Sequence, residues 1–432
     1  MALFIKNLKA FINKENFDFE NPHITLKAFH PQIYIMYMIN GIFFNNRNSK
    51  IRYVYPMLNT TMALIASAFQ MMFMYRGVTI EDYAFASESF CYVVILGTAP
   101  LVYISTLYNT DIIITQLNEM DKDFIFISSL TTKHRDHFLK GQLIIWQLCL
   151  AWFAFCTVVC GMYIVNTFVL LFHYSLIATQ DEHMIRPLIF PMWLPEDDPY
   201  RTPNYEIFMF FQIVLISIIY QNFCGYVYIQ FHILIHYYTI MDVIILDFED
   251  IFDDLDESVV DLKKDDSRRV EVQLILNSRM KRIVQWHISV IKSLDTLSSV
   301  YGPPLVYQVM FSSVAICIMA YQVVNQLENG KVDFLFAMLW FGACVQLWIP
   351  CYLGTLMRDK GFAMADACWY SGWSNTKLSI MLRNEIVLFI SKTQQPLIIK
   401  FTALPNLTLE TFSSIMSSSY SYFNMLRQST KD

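Results

Sequence analysis

The sequence predicts an all-α membrane protein of seven transmembrane helices, with a cytosolic N-terminus, an extracellular C-terminus and a cytosolic helical anchor region. Three observations carry this. Of 432 residues, 55% are hydrophobic and only 16% charged, against about 25% charged in soluble domains. Six apolar runs are each long enough to cross roughly 30 Å of hydrocarbon as a helix. Lys and Arg are dense in alternate connecting segments. Phe (35), Tyr (25) and Met (23) are abundant and Gly (12) is scarce, which suits helices better than a barrel.

Residues 1–52 read as a cytosolic N-terminal segment. Lys6, Lys9 and Lys14 interrupt its apolar residues, so it lacks the core of a signal peptide, and the first span is expected to act as its own insertion signal. Spans one to four occupy 53–238, as the runs 53–75, 84–108, 139–172 and 205–238. The third and fourth exceed the bilayer and are expected to tilt or protrude. The extracellular segment 173–204 carries Pro187, Pro191, Pro195, Pro199 and Pro203. Proline every fourth residue forbids a continuous helix, which predicts an extended lid.

Residues 239–302 read as a cytosolic helical hairpin. Ile245, Phe248, Phe252, Leu255 and Val259 recur at helical spacing among seven Asp and Glu residues, so the fourth span is expected to continue as an amphipathic helix. After a turn near Asp265-Asp266, Val270, Leu274, Ile288 and Ile291 mark a returning helix that leads into Pro303-Pro304. Spans five and six occupy 303–357, as 303–325 and 333–357. A cytosolic anchor segment, 358–407, precedes a weaker seventh span and a short extracellular tail, 408–432.

Sidedness comes from basic residues. Of 31 Lys and Arg, 24 lie in residues 1–52, 109–140, 239–300 and 358–393, and four (Arg76, Arg186, Arg201, Lys331) lie in the alternate segments. Positive charge collects on the cytosolic side. A G-protein-coupled receptor has the opposite orientation, and neither an Asp/Glu-Arg-Tyr after the third span nor an Asn-Pro-x-x-Tyr in the last is present.

Residues 408–428 span about 31 Å as a helix. Leu409, Phe412, Met416, Tyr420 and Phe423 share one face; Ser414, Ser417, Ser421, Asn424 and Gln428 share another. Lipid penalises such a polar stripe, so it fits a water-filled conduit enclosed by several subunits. The alternatives are a surface helix, or a packing helix whose serines permit close approach.

Other chemistry is not indicated. The net charge of −6 comes with no basic stripe, so no nucleic-acid partner is expected. The nine cysteines form no CxxC pair, and His232 and His236, four residues apart, lack a third ligand nearby. No phosphate loop, HExxH motif or nucleophile elbow occurs. No cofactor, metal or enzymatic activity is expected. A secondary transporter would show repeated halves and broken helices, and neither pattern is present.

The C-terminal third resembles the insect odorant receptor family. The resemblance rests on Tyr370, Trp373, Arg383, Gln394-Gln395-Pro396-Leu397, Leu409 with Phe412, and Ser419-Tyr420-Ser421-Tyr422-Phe423, with His287 upstream. Gustatory receptors end in Thr-Tyr, five mostly apolar residues and Gln-Phe. Here Ser421-Tyr422 and Gln428 keep the spacing, but Ser429 replaces the final Phe, which favours the odorant branch. The Gln-Gln-Pro-Leu and Ser-Tyr-Ser-Tyr-Phe stretches are most similar to moth receptors of pheromone type. The long second cytosolic insertion of the family's co-receptor is missing, so the chain resembles a ligand-tuning subunit.

The resemblance implies a plasma-membrane receptor of sensory-neuron dendrites, acting in a heterotetramer with the obligate co-receptor as a volatile-gated non-selective cation channel. It implies a conduit lined by the last helix, with Ser417, Ser421 and Asn424 on the stripe and Met425, Gln428 and Ser429 at the outer gate. It places Tyr370, Trp373 and Arg383 in the subunit's anchoring helix. Its ligand site lies among spans two to six. Candidates at helical spacing are Phe85, Ser89 and Tyr92; Tyr163 and Asn166; Phe208, Phe211 and Leu215; Ile316 and Tyr321; and Phe336 with Trp340. For each the alternative is ordinary interhelical packing.

Overall fold

The computed structural model describes residues 14, 17–40, 42, 51–81, 83–177, 186–190, 198–328, 330, 334–399 and 406–429. All their regular elements are helices, with no strand among them. In chain order the α-helices are α1 (Leu26–Phe29), α2 (Pro31–Ile39), α3 (Ile51–Thr79), α4 (Tyr83–Tyr108), α5 (Thr110–Ser128), α6 (Thr132–Ile177), α7 (Asn204–Glu249), α8 (Ser267–Glu328), α9 (Phe334–Tyr370), α10 (Arg383–Thr393) and α11 (Leu409–Ser429). Six of them, α3, α4, α6, α7, α8 and α9, are long and apolar enough to cross a membrane.

α6 and α7 have 46 residues each and α8 has 62. At 1.5 Å per residue each far exceeds the bilayer, so all three continue beyond their apolar runs. α8 packs against α4, α7, α9 and α11 and is the spine of the bundle.

α8 passes through Pro303 and Pro304 without stopping. A helix proline leaves the carbonyl four residues earlier without a donor. For Pro304 that carbonyl belongs to Val300, and the Ser105 hydroxyl of α4 donates to it. Pro350 within α9 likewise frees the Gln346 carbonyl, which accepts from Gln308 Nε2 at 3.0 Å. Neighbouring side chains thus repair the backbone and lock α4, α8 and α9 together.

The hairpin over 239–302 differs from expectation in one respect. α7 stops at Glu249 rather than running on toward Val259. Arg279 of α8 donates to the carbonyls of Asp250, Ile251 and Asp253 at 2.8, 2.9 and 3.0 Å, holding the turn just beyond the helix end. Asp254 then adopts a φ of 61°, and Val259 is buried from a short 3-10 helix, Glu257–Asp261. Buried Asp247 accepts from Arg282 Nε at 3.0 Å and lies 3.2 Å from His134 Nε2. That carboxylate ties α6, α7 and α8.

Two further elements carry no strong sequence signal. Residues 110–128 form α5 rather than a plain connector. The segment holding α1 and α2 folds back onto the body: His30 is fully buried, with its ring centroid 4.3 Å from that of His232, and Tyr37 Oη lies 3.0 Å from Tyr301 Oη.

Candidate functional site

A cavity of about 130 Å³ lies between α4, α6, α7, α8 and α9. Its wall is mainly apolar because five helices turn aromatic, Met and aliphatic side chains onto one point. α6 supplies Trp152, Phe155, Cys156, Val159, Cys160 and Tyr163, one face at helical spacing. α7 contributes Ile216, Ile219 and Phe223; α8 contributes Tyr307, Gln308, Ser312, Ala315 and Met319; α9 contributes Met338, Leu339, Gly342 and Gln346.

Phe190 reaches the cavity from the proline-rich segment. Gln212 of α7 clamps its backbone from both sides: Phe190 N–H donates to Gln212 Oε1 at 3.0 Å, and Gln212 Nε2 donates to the Phe190 carbonyl at 2.8 Å. The Phe190 ring then meets Tyr92 edge-on at 4.9 Å between centroids.

One glycine shapes the α4 wall. Tyr307 Oη donates to the Val94 carbonyl at 3.2 Å, and a Cβ on Gly97 would stand 2.3 Å from that oxygen. Only glycine lets this phenol lie against α4.

Of the residues singled out from sequence, Tyr92 and Tyr163 line the cavity. Leu215, Phe336 and Trp340 lie in or against the surrounding cluster, behind the lining positions Ile216, Met338 and Leu339. Ser89 is fully buried away from the cavity, Ile316 packs beside Ala315, Tyr321 is half-buried beyond Met319, and Asn166 is exposed. Phe208 and Phe211 turn the other way, with ring centroids 5.7 and 6.4 Å from that of Phe69 on α3. The Phe85 side chain lies outside the described residues. Trp152, Phe155, Gln308 and Gln346 had no separate signal, since in helices apolar on most sides periodicity does not name the inward face.

The last helix rests on α8 and α9. At its start, the Leu409 N–H donates to Thr355 Oγ1 at 2.9 Å, and Glu410 pairs with Arg358 at 3.2 Å. The Leu407 carbonyl comes so close to α9 that a Cβ on Gly354 would stand 2.0 Å from it. Midway, Ser419 Oγ donates to the Ser313 carbonyl of α8 at 2.9 Å. At its far end Arg427 pairs with Glu328 at 2.6 Å.

Ser417, Ser421, Met425 and Gln428 are exposed and Asn424 is half-buried; the Ser429 side chain lies outside the described residues. Tyr420 of the apolar face is 66% exposed, and the neighbouring Ser419 is buried. A serine permits the close approach to α8 that its hydrogen bond requires, and the next residue is thereby rotated outward.

In the anchor segment, Tyr370 ends α9, and Trp373 follows it, half-buried, with its ring 5.7 Å from that of Trp369. Arg383 opens α10 and is exposed. The three occupy separate elements rather than one helix. Among the described residues, no group of three His, Cys, Asp or Glu side chains is placed to hold a metal.

Comparison with known proteins gives this arrangement a family. Residues 82–420 match the model of the 7tm Odorant receptor family. Odorant receptor 85c of Drosophila melanogaster is 28% identical over 152 residues, covering 35% of this chain and 38% of the relative. Odorant receptor 13a of the same species is 29% identical over 159 residues, again 38% of the relative; the chain therefore aligns with about two fifths of these proteins. Odorant receptor 10 of Aedes albopictus is 23% identical over 245 residues, 56% of this chain and 61% of the relative. The fold is similar to that of the insect olfactory receptor OR5 from Machilis hrabei, at a TM-score of 0.68 and 16% identity over 93% of this chain and 98% of that one. The same receptor in complex with eugenol is similar at a TM-score of 0.68 and 18% identity. With more than three quarters of its length inside the family match, this membrane protein belongs to the insect odorant receptor family.

Proposed function

We propose that the chain is the ligand-tuning subunit of an odorant-gated, non-selective cation channel. In this reading the cavity between α4 and α9 holds a small volatile, and α11 is a seventh span whose exposed serine stripe faces a shared conduit. The N-terminus is cytosolic and the C-terminus extracellular. The subunit works in the plasma membrane of a sensory-neuron dendrite, in a heterotetramer with the family's co-receptor. The exposed Trp369, Tyr370, Ile380 and Leu388 of the anchor region supply apolar area for contact between subunits.

The observation that carries this reading is that consecutive residues of α8 serve both sites. Ser312 lines the cavity, and the Ser313 carbonyl holds Ser419 of the last helix. A volatile has few polar atoms, so its binding rests on apolar burial, at about 25 cal/mol per Å². It gates only if it binds the open arrangement better than the closed one. A shift of α8 around a bound ligand would pass directly to α11.

The size of the cavity favours a compact ligand. Roughly 150 Å³ of apolar space admits a benzene ring, whereas a long-chain pheromone would need the space to extend. Co-expression with the co-receptor tests the assignment. Volatile-evoked cation current that requires both chains supports it. Current from this chain alone would mark a self-sufficient channel, and substrate uptake without current would mark a transporter.

A further inference from the structure

Several polar groups around the cavity are spent inside the protein. Thr98 Oγ1 donates to the Ile95 carbonyl at 2.6 Å, Ser312 Oγ to the Val309 carbonyl at 2.9 Å, and Tyr307 Oη to the Val94 carbonyl at 3.2 Å. A ligand therefore meets few hydrogen-bond donors.

Gln346 differs from these. It is only 8% exposed and lines the cavity, and its side-chain amide makes no hydrogen bond among the described residues. Its backbone carbonyl, released by Pro350 four residues on, is taken by Gln308 Nε2. That bond fixes the two glutamines side by side while leaving the Gln346 amide uncommitted. Both residues also border an adjoining recess of about 10 Å³, shared with Thr98, Asn222 and Tyr226. Such a volume is close to that of a single water-sized atom. Apolar wall and polar recess meet at the Gln346 side chain.

Resting on the reading of this cavity as the odorant site, we propose that Gln346 is its orienting donor and determines ligand class. The preferred ligand is a compact volatile with one acceptor oxygen: a ketone, aldehyde, ester or ether. Its hydrocarbon part lies against the α6 and α9 wall and its oxygen accepts from Gln346 Nε2. A hydrocarbon of the same shape would leave a buried amide donor unmet, a difference of about tenfold in affinity.

The test uses the full chain with its co-receptor and matched pairs of probes, each a small ketone and the alkene in which a methylene replaces the carbonyl oxygen, such as 2-heptanone and 2-methyl-1-heptene. In the unaltered receptor the ketone of an active pair should be about tenfold more potent. Gln346→Met keeps the shape and the backbone carbonyl that holds Gln308. It should raise the half-maximal concentration of the ketone about tenfold and leave that of the alkene unchanged. Gln346→Asn, which withdraws the amide by one methylene, should show the same selective loss and serves if the first variant fails to reach the surface. Equal potencies within pairs, or a gap that survives both substitutions, overturn the role of Gln346. Gly342→Trp, which fills the cavity, separates this from the underlying reading. If it silences both members of every pair while the gap persists in Gln346→Met, only the Gln346 proposal falls. If responses survive Gly342→Trp, or no pair is active with receptor at the surface, the cavity reading falls as well.

Discussion

Ser419 Oγ donates to the carbonyl of Ser313 at 2.9 Å, joining the last helix to α8 one residue beyond Ser312 in the cavity wall. Interhelical hydrogen bonds in membranes contribute about 0.6 kcal/mol on average and at most about 1.7. Ser419→Ala should therefore shift the agonist dose–response by about 3-fold, and by no more than about 18-fold, with surface delivery intact. Concentration–response recordings check this, and an unmoved curve would separate the cavity from the last helix.

Gly354 faces a sterner constraint. A Cβ there would stand 2.0 Å from the Leu407 carbonyl, which is backbone and cannot rotate aside. Gly354→Val should displace the start of α11 and abolish current. Thr355→Val, which removes the acceptor for the Leu409 N–H and the hydroxyl's own bond to the Cys351 carbonyl, should cost about 1 kcal/mol and leave a reduced current. Surface biotinylation alongside recording distinguishes lost gating from lost delivery.

The Gly97–Tyr307 contact predicts a rescue. Gly97→Ala should push the Tyr307 ring toward the cavity and weaken ligand potency about tenfold. Tyr307→Phe alone should have a smaller effect, because the Val94 carbonyl keeps its helical partner. In the double variant the clashing oxygen is gone, so the loss should fall below the sum of the two single effects, as expected for touching residues. Strict additivity of the two shifts would count against the contact.

Glu328 and Arg427 form an ion pair, with about half of each side chain exposed. Exposed pairs contribute little, about 0–1 kcal/mol, and are screened by salt. Glu328→Gln should change potency by less than about fivefold, and by still less at high ionic strength. A larger loss would place this pair in a less solvated setting.

His287 precedes the apolar run 303–325 of α8, with its ring centroid 5.0 Å from that of Phe389 in α10. Burial, with a smaller contribution from Lys392, holds its imidazole below the usual histidine range. In the unfolded chain it takes up a proton near pH 6.5, while in the fold it stays neutral to lower pH. Stability from this site is thus fully present above about pH 6.5 and is lost as pH falls toward the depressed folded value. The melting temperature of the solubilised receptor should drop between pH 7.5 and 5.5, and drop less in His287→Phe. Parallel melting curves for the two proteins would remove His287 as the cause.

The sequence by itself determined the helical class, the positions of six apolar spans and the family. Each of these is written in one dimension: run length, composition, and short motifs such as Gln394-Gln395-Pro396-Leu397. Rotation of each helix about its own axis was decided only by tertiary packing. Phe208 and Phe211 have the composition of a ligand wall, yet they face Phe69, while Trp152 and Phe155 turn inward. Ser419 points into the bundle and Tyr420 out of it. A helix turns about 100° per residue, and when most of its sides are apolar the choice of inward side belongs to its neighbours. The prolines make the same point. Pro304 and Pro350 each remove a helical donor, and Ser105 and Gln308 supply the missing donors across helix boundaries; such long-range repair has no local signature in the chain.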